Sequence, residues 1–131
     1  GDVYKRQIFM TPLTHQEEEI MRCVWQLGLC NVKQAIELLS VPRPPYTTVA
    51  SVFKNLERKG YVASRLEGNT YIYRPAIDEQ DYKRTFLGNV VGSYFKNSYK
   101  ELVTFFARDN KISSDELREI IDLINKGEED K

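Results

Sequence analysis

The sequence predicts a mainly α-helical chain with one small β-hairpin, organised as an N-terminal winged helix-turn-helix followed by a C-terminal helical region. Three observations carry this. In the stretch 46–75, Val49, Val52, Phe53 and Leu56 fall at i, i+3, i+4 and i+7, and two β-rich runs follow at once. Two short amphipathic segments, each with its own start signal, precede it. After it come three more amphipathic segments whose apolar stripes exceed what one copy of the chain can cover.

In order, residues 1–9 show no useful periodicity and read as an extension before Met10, with a winged-helix domain over 10–76 and a helical region over 77–131. Thr14 and Glu17 match a capping box, opening a helix to about Leu27 with Ile20, Cys23, Val24 and Leu27 on one face. Gly28 ends it. Asn31 can cap a second helix over 32–39, with Val32, Ala35, Ile36 and Leu39 inward. Pro42, Pro44 and Pro45 forbid helix and set a stiff turn into the third helix, which starts at Tyr46. Gly60 sits where a left-handed cap closes that helix after Arg58 and Lys59. Strands over 62–66 and 70–74 flank a turn of Glu67, Gly68 and Asn69, and Pro75 stops the ribbon.

Beyond it, Asp78 caps a long helix to about Lys96, with Tyr82, Phe86, Val90 and Tyr94 on one stripe. Gly88 and Gly92 interrupt it at a spacing that permits close helix approach. A segment over 98–108 turns Tyr99, Leu102, Val103 and Phe106 inward. Ser113 and Glu116 form another capping box before a last helix with Leu117, Ile120, Ile121 and Ile124, and residues 127–131 read as a frayed end.

Charge is informative in its distribution. The formal net charge is zero, yet between residues 43 and 74 six cations meet two carboxylates, a surplus of four positive charges. From residue 77 onward nine Lys and Arg meet twelve Asp and Glu. A basic half followed by an acidic one suits a nucleic-acid-binding module joined to a module with another task. On the third helix, Thr47, Thr48, Ser51 and Asn55 are short hydrogen-bonding groups placed to read base edges, whereas Lys54, Arg58, Arg65 and Arg43 suit phosphates, with Asn69 at the wing tip. The uncovered stripes after residue 77 point to a homodimer through Phe86, Val90, Tyr94, Leu102, Phe105, Phe106, Leu117 and Ile121. The bland rivals are an amphipathic helix packed on a hairpin, and a winged helix that binds only protein. The latter predicts little salt-sensitive DNA affinity.

Other classes find little support. Two cysteines seven apart and a single His assemble no recognised metal site, and Cys23 and Cys30 read as small buried hydrophobes. No Cys–His or Ser–His–Asp set and no Gly-rich phosphate loop is present, so neither an enzyme nor a cofactor is expected. No apolar run approaches the roughly 20 residues of a membrane helix, and no signal-peptide pattern is seen. The expectation is a cytoplasmic protein with no direct membrane insertion.

Leu13, Thr14, Glu17, Ile20, Met21 and Trp25, then Tyr46, Thr47, Thr48 and Val49, then Leu56, Lys59, Gly60, Tyr61 and Val62, then Tyr71, Tyr73, Arg74 and Pro75 form an ordered set. That set resembles the penicillinase-repressor family, the BlaI/MecI/CopY type, over nearly everything after Met10. The resemblance implies a homodimeric repressor whose winged helix binds double-stranded operator DNA at an inverted repeat and whose C-terminal region dimerises. In the antibiotic-responsive branch it further implies a membrane sensor-protease that acts as antirepressor by triggering cleavage in the dimerisation region. The scissile Asn-Phe pair of that branch aligns with Phe105 and Phe106. The cysteine-rich metal-binding tail of the copper branch is absent from residues 127–131, and Ala50 and Asn55 stand where an arginine is common in relatives.

Overall fold

Thr14 and Glu17 begin the first helix by exchanging bonds: the Glu17 amide donates to the Thr14 hydroxyl at 3.1 Å and the Thr14 amide to the Glu17 carboxylate at 2.8 Å. This computed structural model describes residues 11–129, so the extension expected over residues 1–9 lies outside the described residues. The opening helix, α1, spans His15–Leu27 and stops at Gly28, whose φ of 78° favours a residue without Cβ. His15 is an exposed first-turn residue beside Glu19. Asn31 and Gln34 form a second reciprocal box at 2.9 Å each way, opening α2, Val32–Glu37. This helix ends two residues before the expected Leu39 because Leu38 and Leu39 donate to carbonyls three residues back, a tighter turn.

Helix α3, Tyr46–Arg58, follows Pro45 and closes with Gly60 in the left-handed region at φ 89°. Strands β1, Val62–Glu67, and β2, Thr70–Pro75, pair antiparallel from Val62 opposite Pro75 to Glu67 opposite Thr70. The ribbon is one residue longer on each side than expected, so its loop is Gly68 and Asn69 alone, a two-residue hairpin. A third partner joins it: the Cys30 amide donates to the Tyr73 carbonyl at 3.0 Å, and the Tyr73 amide donates back at 2.7 Å.

The core of this half gathers Ile20, Met21 and Val24 of α1, Ala35 of α2, and Val49, Phe53 and Leu56 of α3, with Tyr61, Val62, Tyr73 and Ile77 closing it. Each of the large aliphatic side chains contributes about 1.5–3 kcal/mol by leaving water. Met21 is fully buried, whereas Leu27, expected inward, is exposed at the frayed end of α1. Cys23 and Cys30 are free thiols inside this core.

Helix α4, Glu79–Tyr94, helix α5, Tyr99–Arg108, and helix α6, Ser114–Glu129, complete the described chain. The backbone divides into two compact units, with the break between Thr85 and Phe86. The domain boundary expected after Ala76 lies nine residues before this division. The intervening segment is held to the winged half: the Trp25 indole donates to the Ile77 carbonyl at 2.9 Å, the Tyr82 hydroxyl donates to Glu18 at 2.6 Å, and the Tyr82 ring lies tilted 5.3 Å from Trp25 and edge-on 5.9 Å from Tyr61.

The second unit is nearly coreless. Val91 alone is buried among its described residues, and its helices make few contacts with one another. Of the stripe residues, Phe86, Tyr94, Phe105, Phe106 and Ile121 are exposed, and Val90, Leu102 and Leu117 are half-buried. The glycines serve the α4–α5 turn. A Cβ on Gly92 would meet the Asn97 side-chain oxygen at 3.0 Å, whereas one on Gly88 would lie 3.8 Å from the Tyr99 hydroxyl, an ordinary contact. Helix α6 runs through Gly127 to Glu129 instead of fraying at Gly127; a helical glycine costs about 1 kcal/mol relative to alanine, which the preceding turns carry.

Candidate nucleic-acid interface

Helix α3 has two opposite faces. Val49, Val52, Phe53 and Leu56 are buried, and Thr47, Ser51, Lys54 and Arg58, spaced four, three and four, point outward. None of the four outward side chains has a hydrogen-bond or ion-pair partner among the described residues, so all remain available to a ligand. Thr48 and Asn55, expected beside Thr47 and Ser51, are half-buried at one edge of this stripe. Of the four residues expected to face bases, the fold thus leaves Thr47 and Ser51 most open, followed toward the helix end by the cations Lys54 and Arg58.

The wing stands beside the other edge. Strand alternation turns Ser64, Leu66, Tyr71 and Tyr73 one way and Arg65, Ile72 and Arg74 the other. Tyr73 stacks on Phe53 at 4.4 Å, and the Ser64 hydroxyl donates to Glu57 at 2.6 Å, which fixes the ribbon against α3. Burial pushes the Tyr73 phenol upward in pKa. Between helix and wing lies an open cleft of about 430 Å³, bordered by Asn31 and Lys33 of the α2 start, Tyr46 and Lys54 of α3, and Asn69 and Tyr71 of the wing.

The cations are not equivalent. Lys59 donates to Glu17 at 2.6 Å and to the Pro12 carbonyl at 3.2 Å, its side chain 15% and that of Glu17 6% exposed. Burial raises the Glu17 carboxyl, but hydrogen bonds from Lys59 and Thr14 outweigh it and leave the group below its ordinary value. Arg43 is spent on the end of α2, donating to the carbonyls of Leu39 at 3.2 Å and Glu37 at 3.1 Å. Arg65 pairs with Glu67 at 3.2 Å in an exposed contact. Lys33, Lys54, Arg58 and Arg74 are exposed and form no ion pair among the described residues. The positive surplus counted along residues 43–74 therefore includes charges that the fold has already committed.

The family model described as "Penicillinase repressor" matches residues 13–126. The chain belongs to the penicillinase repressor family. Among relatives of this family member, the methicillin resistance regulatory protein MecI of Mammaliicoccus sciuri is 23% identical over 115 residues, covering 87% of this chain and 94% of that protein. The penicillinase repressor of Bacillus licheniformis is likewise 23% identical over 115 residues, covering 87% of this chain and 90% of that protein. The solution structure of the DNA binding domain of the repressor BlaI has a TM-score of 0.49 and 28% identity, covering 56% of this chain and 90% of that one.

In this penicillinase-repressor family member the structure brings Thr47, Ser51, Lys54, Arg58 and Asn69 to one side, sets Thr48 and Asn55 at its margin, and binds Arg43 and Arg65 within the chain. The sequence reading missed Lys33, Tyr46 and Tyr71, which border the cleft. One signal for Tyr46 was present: it stands four residues before Ala50 and eight before Lys54, on one edge of α3. Nothing local announces Lys33 or Tyr71, because only the packing of α2 and the ribbon against α3 brings them there. Among the described residues no helix is long and apolar enough to cross a membrane.

Proposed function

We propose that this member of a family of DNA-binding repressors holds an inverted-repeat operator as a homodimer, with α3 of each copy in a major groove and each wing beside it. The outward stripe of α3 carries the reading. Short hydrogen-bonding groups at Thr47 and Ser51 suit base edges, Lys54 and Arg58 suit phosphates, and the opposite face is locked in the core. The second unit supports symmetric pairing: Tyr94, Phe105, Phe106 and Ile121 are exposed there, and Val91 alone is buried among its described residues. Joining two recognition helices makes the second half-site encounter intramolecular, so the pair binds far more tightly than either alone.

Relief of repression follows from the same arrangement. Cleavage between Phe105 and Phe106, triggered by a membrane sensor-protease, cuts the dimerisation region and uncouples the half-sites. Both residues lie in α5 and are exposed, with their rings 5.3 Å apart. The Phe105 carbonyl accepts from the Asp109 amide at 3.2 Å, and the Phe106 carbonyl accepts from the Lys111 amide at 2.9 Å. Only the last turn of α5 must open to present this bond, a local event far cheaper than unfolding the unit. The pocket that receives Phe105 is then apolar.

Titrating labelled duplex that carries the inverted repeat of its promoter, against a scrambled duplex at several salt concentrations, tests the repressor reading. Tighter binding to the repeat is expected, and equal affinity for both refutes it. Co-expression with the sensor-protease under β-lactam, followed by fragment masses, tests relief. Fragments ending at Phe105 are expected, and an intact chain that has left its operator refutes cleavage.

A further inference from the structure

The root of α4 is held to α1 at two points. Just before the helix begins, the buried Ile77 gives its carbonyl to the Trp25 indole at 2.9 Å. Inside the first turn, the Tyr82 hydroxyl donates to the Glu18 carboxylate at 2.6 Å, a charge-assisted bond about twice as strong as a neutral one. The Tyr82 ring meets Trp25 at 5.3 Å and Tyr61 at 5.9 Å, and the Tyr61 hydroxyl is itself tied to the Thr11 carbonyl at 2.7 Å. A helix held at one point pivots about it, whereas two anchors on the same neighbour set its axis. All of these groups belong to the first compact unit, and α4 runs on past Thr85 as one unbroken helix, Glu79–Tyr94.

We propose that the Glu18–Tyr82 bond is a positioning latch, which fixes the course of the first turns of α4 and so sets the half-site spacing that the dimer accepts. This rests on the homodimeric operator reading above and adds two residues that lie outside both the recognition helix and the wing. Linking two binding heads raises the effective concentration of the second only where the connection matches the span between sites. A stiff connection concentrates that gain at one spacing, and a loose one spreads it over several. The latch therefore selects spacing, whereas the outward groups of α3 select bases and grip phosphates.

The test uses the full chain with three kinds of duplex: the inverted repeat of its promoter, the same repeat with one or two base pairs inserted at its centre, and a single half-site. Each inserted base pair moves a half-site by about 3.4 Å and turns it by about 35°. Tyr82→Phe keeps the ring contacts and removes the hydroxyl. It should weaken binding at the native spacing about three- to tenfold and lessen the penalty for two inserted base pairs by a similar factor. Affinity for the single half-site should stay within about twofold of native, because α3 and the wing are untouched. Glu18→Ala should reproduce this profile, and Glu18→Gln, which keeps an acceptor for the hydroxyl, should restore the native one. Far-ultraviolet circular dichroism of each variant establishes that the fold is kept.

A native spacing profile in both Tyr82→Phe and Glu18→Ala overturns the latch and leaves the repressor reading standing. Equal loss on the whole repeat and on the half-site also overturns it, because the bond then only maintains the winged half. Glu18→Gln behaving as Glu18→Ala assigns the effect to the carboxylate charge and overturns it as well. A native chain that binds the repeat no better than a scrambled duplex overturns the operator reading itself.

Discussion

Replacing Lys59 with Met removes one end of a pair that fastens the end of α3 to the start of α1. In the native chain the Glu17 carboxylate accepts from Lys59 at 2.6 Å and from the Thr14 amide at 2.8 Å. Met preserves the aliphatic stem and leaves Glu17 buried with only the Thr14 bonds. Removing one partner of a buried pair costs about 3–5 kcal/mol when the other is orphaned. Because Thr14 still serves Glu17 and the Lys59 side chain retains some contact with water, the expected loss at pH 7 is about 2–3 kcal/mol. Urea denaturation followed by fluorescence of Trp25, the single tryptophan, reads this in the winged half.

The pH dependence gives the sharper test. In the native chain the Glu17 carboxyl is held below its ordinary value, so its contribution is complete above the unfolded glutamate value near 4.3 and is lost as pH falls through the folded value. Without Lys59, burial dominates and the carboxyl rises. The variant then takes up a proton readily, and its deficit relative to the native chain narrows as pH drops from 7 toward 4. The double variant with Glu17→Gln should regain most of the loss. A deficit below about 1 kcal/mol, or one constant across this pH range, refutes the assignment of the pair as a structural lock.

Arg58→Ala should weaken binding to all duplexes and flatten the salt slope by about one unit, whereas Lys59→Met should leave the slope unchanged because that cation is already paired; filter binding over a salt series compares them. Ile121→Asp, in the exposed stripe of α6, should shift sedimentation from dimer to monomer while the Trp25 unfolding transition stays in place. Tyr82→Phe removes the hydroxyl bonded to Glu18 and should cost about 0.5–1.5 kcal/mol in the winged half, read by the same urea titration. Burial, helped by nearby Cys23, pushes the Cys30 thiol up to about 11. The stability it lends is complete below the unfolded value near 8.5 and is lost as pH rises through about 11, so Cys30→Ala should show a shallower alkaline decline in urea midpoints.

Local chemistry alone determined the elements. Reciprocal caps at Thr14 and Glu17, Asn31 and Gln34, and Ser113 and Glu116 are short-range bonds, and Gly60 and Gly68 answer backbone conformations that involve only their neighbours. The period of Val49, Val52, Phe53 and Leu56 likewise fixed which side of α3 is buried, and so which side faces outward. Tertiary structure decided how charges and edges are used. Arg43, Lys59 and Arg65 read alike with Lys54 and Arg58 along the chain, because a sequence count cannot see carbonyls or carboxylates brought up from elsewhere. Lys59 meets Glu17 across 42 residues, and Tyr82 meets Glu18 across 64. Those same long-range contacts carry the winged half past Ala76 to Thr85, since Ile77 and Tyr82 have no local signal that distinguishes packing on α1 from packing on a partner helix. The cleft beside α3 is of the same kind. Its walls come from three elements distant in sequence, and only their packing makes Lys33, Tyr46 and Tyr71 neighbours.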